Sequence, residues 1–225
     1  MKSSKHRRAS STLAFTLIEL LVVVAIIALM LVMAAPTMTS AFKGSKLNQG
    51  AESLRNFLAS AHLTAIKRNL PVELRFYKYD DPDTPESTVH CIAYQMYVVE
   101  LSNDSDDADV SKSKVVYTKV ADLQHLPAGV VISLDPKQST LVGTEMRTGK
   151  ESIKGVDPEK NETEVDFYAF QFRPDGSMNL STTKKWFLTV MGRDEYIRGK
   201  ENTPSNYVCL KLNAFNGDIR WLQPN

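Results

Sequence analysis

One apolar run near the N-terminus constrains this chain more than any other feature. Between residues 15 and 35 only Thr16 and Glu19 are polar, and no charged residue occurs from 20 to 35. A helix of that length is about 31 Å long at about 1.5 Å per residue, and a bilayer core is about 30 Å thick. The run therefore predicts a transmembrane helix over residues 15–36.

The charges around this run predict its orientation. Lys2, Lys5, Arg7 and Arg8 precede it, and no acidic residue occurs among the first 14. Positive charge is retained on the cytoplasmic side of a membrane. We therefore expect a single-pass protein with a cytoplasmic N-terminus and with the residues after position 36 on the other side.

Glu19 is unusual for a plain membrane anchor. A carboxylate in bilayer hydrocarbon costs about 2.5–3.5 kcal/mol at a helix centre, and leucine would serve an anchor better. Either this acid has a function within the membrane, or it lies near the start of the helix and reaches toward the lipid headgroups. The residues alone leave both interpretations open.

Three kinds of processing are compatible with the basic leader. A secretory signal peptide could be cut before Ala35, although the apolar run exceeds the usual ~7–15 residues. A twin-arginine signal could use Arg7 and Arg8, although the residues after the pair do not favour it. In the third, residues 1–14 are removed on the cytoplasmic side, before Phe15, and the apolar helix is kept.

The remaining chain predicts one globular domain without an active site. Residues 37–225 suffice to bury a hydrophobic core. Without the leader the chain has 23 basic and 26 acidic residues, and a mildly acidic domain binds nucleic acid poorly. Because it contains neither a zinc-protease motif nor a nucleophile elbow, we expect no enzymatic activity, no bound metal and no cofactor.

The chain has two cysteines. We expect Cys91 and Cys209 to form either a disulfide or two buried free thiols.

A stripe of apolar residues predicts an amphipathic helical stem over residues 37–70. Spacings of three and four residues put the stripe on one helix face, which we expect to pack on a sheet. The stem should end near Asn69, because Pro71 disfavours helix before it. The stripe consists of Leu47, Ala51, Leu54, Leu58, Ala61 and Ala65.

Strand patterns follow the stem and predict an antiparallel sheet within residues 71–225. Asn216 and Gly217 indicate a type I′ hairpin turn, Pro174 and Gly176 flank a second turn, and residues 150–164 read as a polar insertion. We therefore expect an α+β fold in which the C-terminal half of a long N-terminal transmembrane helix packs on an antiparallel β domain. The predicted strands are 72–77, 90–101, 130–134, 166–172, 186–190, 207–212 and 218–222.

The apolar run resembles the N-terminal signature of type IV prepilins and type II secretion pseudopilins. In that family the mature chain begins at a phenylalanine, its fifth residue is glutamate, and proline commonly occupies position 22. Counted from Phe15, Glu19 is fifth and Pro36 is the twenty-second residue. The family usually has glycine before the cut, where this chain has Ala14.

The resemblance implies a division into a leader (1–14), an assembly helix (15–36), a stem (37–70) and an exposed domain (71–225). A prepilin peptidase would cut between Ala14 and Phe15, and the new amine of Phe15 would be methylated. Glu19 would pair with that amine on a neighbouring subunit, since burial of either charge alone is costly. No cofactor is implied.

A second resemblance concerns the exposed domain. Residues 54–74, 170–176 and 216–220 are similar to parts of the H-type minor pseudopilins and their pilus relatives. This implies a structural subunit of a secretion pseudopilus or type IV pilus, in the inner membrane with its C-terminal domain periplasmic or in a surface filament. Its partners would be other pilin or pseudopilin subunits. Two alternatives are a DNA-binding minor pilin for DNA uptake and a membrane-anchored periplasmic protein of another role.

Overall fold

The computed structural model describes residues 16–80, 89–102, 114–142, 146–154, 156, 161–198 and 204–224, with backbone only at 32–40 and 80. The chain divides into two compact units, residues 1–42 and 43–225. Helix α1 (Leu17–Arg68) supplies the described part of the first unit and the first element of the second. The domain boundaries predicted at residues 36 and 70 stay predictions.

The first unit is described only as helix, from Leu17 onward. Among the residues that the structure describes, no helix is both long and apolar enough to cross a membrane. The predicted transmembrane segment includes Phe15, which lies outside those residues, and 32–36, whose side chains are not described. The transmembrane assignment therefore stays a prediction.

Helix α1 ends where Pro71 predicts, through a Schellman motif. The Leu70 N–H donates to the Ala65 carbonyl and the Asn69 N–H to the Ile66 carbonyl, both at 3.3 Å. Asn69 has a φ of 54°, a left-handed conformation that asparagine tolerates better than most residues. This cap reverses the chain into the first strand.

The apolar stripe of α1 packs against the sheet, as its spacing predicts. All six stripe residues are at most 2% exposed and join one hydrophobic core with strand residues. From the sheet this core receives Leu74, Tyr94 and Phe170, among others. Burial of this face stabilises the stem, because each fully buried leucine contributes about 1.5–3 kcal/mol.

The sheet is antiparallel throughout and has the strand order β10-β9-β8-β5-β2-β1-β7-β6, with β3 and β4 also paired to β2. A 3₁₀ turn (Thr140–Val142) and a short helix α2 (Arg193–Arg198) lie between strands. The strands are β1 (Val72–Asp80), β2 (Val89–Ser102), β3 (Lys114–Lys119), β4 (Gln124–His125), β5 (Val130–Ile132), β6 (Arg147–Ile153), β7 (Thr163–Phe172), β8 (Trp186–Gly192), β9 (Tyr207–Leu212) and β10 (Ile219–Leu222).

All seven predicted strands are confirmed, and the antiparallel α+β architecture with them. Strands β3, β4 and β6 and helix α2 were not predicted from the sequence. The predicted polar insertion at 150–164 is wrong at both ends, since residues 150–153 belong to β6 and residues 163–164 belong to β7. A polar strand is stable here because β6 pairs along its whole length with β7.

The two predicted turns have different outcomes. At Pro174 the Gly176 N–H donates to the Arg173 carbonyl at 3.0 Å, and Gly176 has a φ of 83°, as in a turn followed by a left-handed glycine. The type I′ turn at Asn216 is wrong. That turn needs positive φ at both central residues, and of the described non-glycine residues only Asn69 has one.

The loop between β9 and β10 is longer than two residues because asparagine side chains organise it. Ile219 pairs with Leu212, so residues 213–218 all lie outside the ladder. The Phe215 N–H donates to Asn213 Oδ1 at 3.0 Å, and the Asp218 N–H donates to Asn216 Oδ1 at 3.1 Å. These local bonds replace the tight turn that the Asn-Gly pair favours.

Candidate functional site

Glu19 lies in the first turn of α1, and Thr16 caps that turn. The Glu19 N–H donates to Thr16 Oγ1 at 3.3 Å, which is the backbone half of an N-terminal capping box. The Ser/Thr-x-x-Glu spacing of this motif is present at Thr16 and Glu19 and is the signal in the sequence that indicates this cap. Glu19 therefore has a local role in stabilising the start of α1, because a carboxylate in the first turn also interacts favourably with the positive end of the helix dipole.

The helix beyond this cap exposes an apolar surface on all sides. The large apolar side chains of residues 17–31 are between 47% and 83% exposed. Glu19 is the only charged residue in that range. A helix that is apolar all round is normally buried in a protein or a membrane. This segment is therefore a candidate surface for association with further apolar groups.

The other predicted site residues are described less fully. Ala14 and Phe15, the predicted cleavage and methylation positions, lie outside the described residues. Pro36 lies within α1, which continues through it, and its side chain is not described. Of the predicted positions, the structure thus places only Glu19 in a described side-chain environment, beside Thr16.

A buried polar cluster on the sheet face opposite α1 was missed by the sequence analysis. Its centre is Arg75, whose Nε donates to Glu73 at 2.8 Å and whose Nη1 donates to Glu151 at 2.8 Å. The Arg75 side chain is 8% exposed and that of Glu73 is fully buried. The guanidinium also lies 4.1 Å from the ring centroid of Tyr97 and 4.6 Å from that of Tyr117. These contacts satisfy the buried cation on several sides.

Glu151 connects the edge strand β6 to this cluster. It accepts hydrogen bonds from Tyr77 at 2.7 Å and Tyr97 at 2.8 Å, in addition to Arg75. Burial raises the pKa of Glu151, but the bonds from Tyr77, Arg75 and Tyr97 outweigh burial and hold its pKa below the usual value. The same burial raises the pKa of the Tyr77 hydroxyl. The cluster thus holds an ionised glutamate beside an ionised arginine.

A second arginine extends the cluster to its rim. Arg147 of β6 donates to Glu73 at 3.4 Å and to the Tyr117 hydroxyl of β3 at 3.2 Å. Together with Arg75 and Glu151, these groups pair two arginines with two glutamates. Because the groups satisfy one another, the arrangement is suited to joining β1, β2, β3 and β6 rather than to catalysis.

Little in the sequence indicates this cluster. Glu73 and Arg75 alternate with Val72, Leu74 and Phe76, and such alternation is typical of a strand with one solvent-facing side. The polar face is covered because β6 places Glu151 and Arg147 over it. Only knowledge of the strand pairing could have identified those partners.

Cys91, Cys209 and His62 lie within the packed structure of the second unit. Cys91 and Cys209 are free thiols. Cys91 lies on β2 and Cys209 on β9, and strands β5 and β8 lie between those two strands. At about 4.8 Å per strand, β2 and β9 are about 14 Å apart. His62 of α1 is half-buried, with Nε2 3.0 Å from the Gly176 carbonyl oxygen. Within the described ranges no group of three potential metal ligands occurs.

Comparisons with known proteins yield one structural similarity. No family model matches the chain, and no curated protein matches it. The chain is similar to the crystal structure of the type IV minor pilin FimU from Pseudomonas aeruginosa (strain PAO1). The two sequences are 10% identical, the match covers 80% of this chain and 94% of that chain, and the TM-score is 0.40.

Proposed function

We propose that this chain is a structural pilin-like subunit that assembles through its N-terminal helix into a secretion pseudopilus or a type IV pilus. The observation that carries the proposal is the apolar helix of residues 17–31, which is exposed on all sides and has Glu19 as its only charge. Such a surface needs a lipid or protein environment. The Phe15, Glu19 and Pro36 spacing supports a filament subunit over a plain anchor.

The architecture of the second unit supports the same proposal. From residue 43 onward α1 buries one stripe against an antiparallel sheet. A helix with one segment packed on a domain and another segment apolar on all sides suits a subunit whose helix packs among copies. The proposal includes no catalytic activity and no nucleic-acid partner.

Processing and location complete the proposal. A prepilin peptidase removes residues 1–14 and exposes the amine of Phe15, which is then methylated. The helix over residues 15–36 holds the protein in the inner membrane with a cytoplasmic N-terminus, and the β domain lies in the periplasm or on a filament. Partners are the peptidase and other pilin or pseudopilin subunits. The basic leader and the apolar run support this topology.

N-terminal sequencing and intact mass of membrane-extracted protein test the proposal. The chain should begin at Phe15 when a prepilin peptidase is co-expressed, with a mass increase of one methyl group. The matched control is expression without the peptidase, which should leave residues 1–14 in place. Ala14→Gly, which restores the residue usual in the family, should be cleaved at least as completely. A mature start at Ala35 would contradict the proposal.

A further inference from the structure

Two adjoining clefts lie where the β9–β10 loop approaches the end of α1. The first, of about 230 Å³, is lined by Lys184, Lys185, Lys211 and Arg220, among others. The second, of about 590 Å³, is lined by Ile66, Arg173, Met178, Leu180 and Phe215, among others. Thr182 and Ala214 line both clefts, so the two form one continuous surface. We call the first the basic cleft and the second the apolar cleft.

The strand register concentrates positive charge at the basic cleft. Arg220 of β10 lies directly opposite Lys211 of β9, and like charges in that position destabilise a sheet. Asp218 pairs with Arg220 at 3.1 Å and is the only acid among the described residues that line this cleft. Among the described lining residues, Lys185, Lys211 and Arg220 face one carboxylate. This excess of positive charge, in a mature chain with more acidic than basic residues, favours an anionic partner.

The apolar cleft presents an exposed aromatic residue. Phe215 is 76% exposed, and its N–H donates to Asn213 Oδ1 at 3.0 Å, so the loop backbone that carries the ring is held in place. Ile66 on α1 is 47% exposed and lines the same cleft. Aromatic residues and arginine beside a pocket are typical of the energetically dominant part of a protein interface.

We propose that the two clefts form a docking surface for an acidic polypeptide segment that carries an apolar side chain. Lys211 and Arg220 bind its carboxylates, and the apolar cleft beside Phe215 takes its apolar side chain. A polypeptide fits better than a nucleic acid, because Ile66, Met178 and Leu180 line the apolar cleft and suit an aliphatic side chain, which a nucleic acid does not carry. This inference does not depend on assembly through the N-terminal helix.

Peptide selection on the full chain in detergent micelles tests the proposal. A phage-displayed library of random short peptides is selected against the wild type, after depletion on the Lys211→Glu/Arg220→Glu variant. Enriched peptides should be net acidic and contain a leucine, isoleucine or phenylalanine. A synthetic peptide from the enriched set is then labelled, and its affinity is measured by fluorescence polarisation. A labelled single-stranded oligonucleotide of mixed sequence is measured in parallel.

Two matched controls separate the docking surface from general surface effects. Lys211→Glu and Phe215→Ser should each weaken peptide binding by about tenfold. Lys137→Glu, at an exposed turn, and Leu101→Ser, at a side chain 73% exposed, should leave the affinity within about twofold. The proposal would be overturned if the selection enriched neutral or basic peptides, or enriched nothing over the depleted pool. It would also be overturned if the control variants weakened peptide binding as much as Lys211→Glu and Phe215→Ser do, or if the oligonucleotide bound more tightly than the peptide.

Discussion

Glu19 has a role that the structure shows and a role that we propose, and mutation can separate the two. The structural role is at the helix start, where its N–H is capped by Thr16 and its carboxylate favours the helix dipole, worth about 0.3–1 kcal/mol. The proposed role is to pair with the Phe15 amine of a neighbouring subunit. Only the second role requires the carboxylate for association between chains.

Glu19→Leu should therefore spare membrane insertion and impair subunit association. The backbone bond to Thr16 remains, and a costly charge is removed from the apolar segment. Loss of one partner from a buried ion pair leaves the other unpaired, at about 3–5 kcal/mol, so cross-linking between subunits in membranes should fall at least tenfold. The comparison requires equal expression of the two proteins.

Thr16→Ala is the control for Glu19→Leu. It removes the cap, at about 1 kcal/mol of helix stability, but keeps the carboxylate. Its cross-linking should stay close to that of the wild type. If Glu19→Leu and Thr16→Ala reduce cross-linking equally, the acid acts through the helix start, and if neither does, its pairing role is wrong.

Glu151 should make the stability of the second unit depend on pH. The pKa of Glu151 in the folded protein lies below the usual value. Its contribution to the free energy of unfolding is therefore fully present above about pH 4.3, the pKa of a glutamate in an unfolded chain. The contribution is lost as the pH falls through the lower, folded-state pKa. Glu151→Gln should lower the free energy of unfolding by about 2–3 kcal/mol at neutral pH. It should also make the free energy of unfolding decrease less steeply as the pH is lowered. Chemical denaturation in a pH series measures both effects.

Glu164→Gln is the matched control for the buried pair. Glu164 also makes a 2.8 Å ion pair, with Lys150, but those side chains are 62% and 65% exposed. Exposed pairs contribute about 0–1 kcal/mol, so this variant should unfold almost as the wild type does. Similar losses in the two variants would mean that the buried cluster does not stabilise the sheet as its geometry indicates.

At the scale of elements, the stem of α1 depends on its buried stripe. Leu58 is fully buried against the sheet, whereas Leu63, five residues later, is 64% exposed. Leu58→Ala should lower the free energy of unfolding by about 2–5 kcal/mol, because it leaves a cavity in the core. Leu63→Ala changes the same atoms at the surface and should cost about 0.5 kcal/mol or less. Equal effects in denaturant unfolding would contradict the packing of this helix on the sheet.

The elements that the sequence predicted are those with a strong local pattern. The stripe of α1 and the apolar strands β1, β2 and β7 follow periods that a single sequence reveals. Strand β6 has no such pattern, since its position depends on pairing with β7. Gly149 is one reason: a Cβ there would lie 2.6 Å from Phe167 Cζ, so this position of the strand holds a glycine beside the Phe167 ring rather than a β-branched residue.

At the scale of the whole molecule, the sequence predicted the class of fold better than its buried polar groups. The order of one long helix followed by strands is visible in the periodicity. The Arg75 cluster is not, because Glu151 is 76 residues from Arg75 in sequence and reaches it only through strand pairing. Local patterns report which face is apolar, and they do not report what covers a polar face.

The division into two units predicts that residues 43–225 fold without the rest. Every described residue of the two hydrophobic clusters lies between Leu47 and Trp221, so deletion of residues 1–42 removes none of them. The shortened protein should keep its near-ultraviolet circular dichroism and unfold cooperatively, within about 1 kcal/mol of the full chain in the same detergent. It should also stay in solution without detergent, because the exposed apolar helix is gone. Deletion of residues 1–14 alone is the matched control, which should still need detergent. Loss of cooperative unfolding in the shortened protein would mean that the first 42 residues contribute to the core.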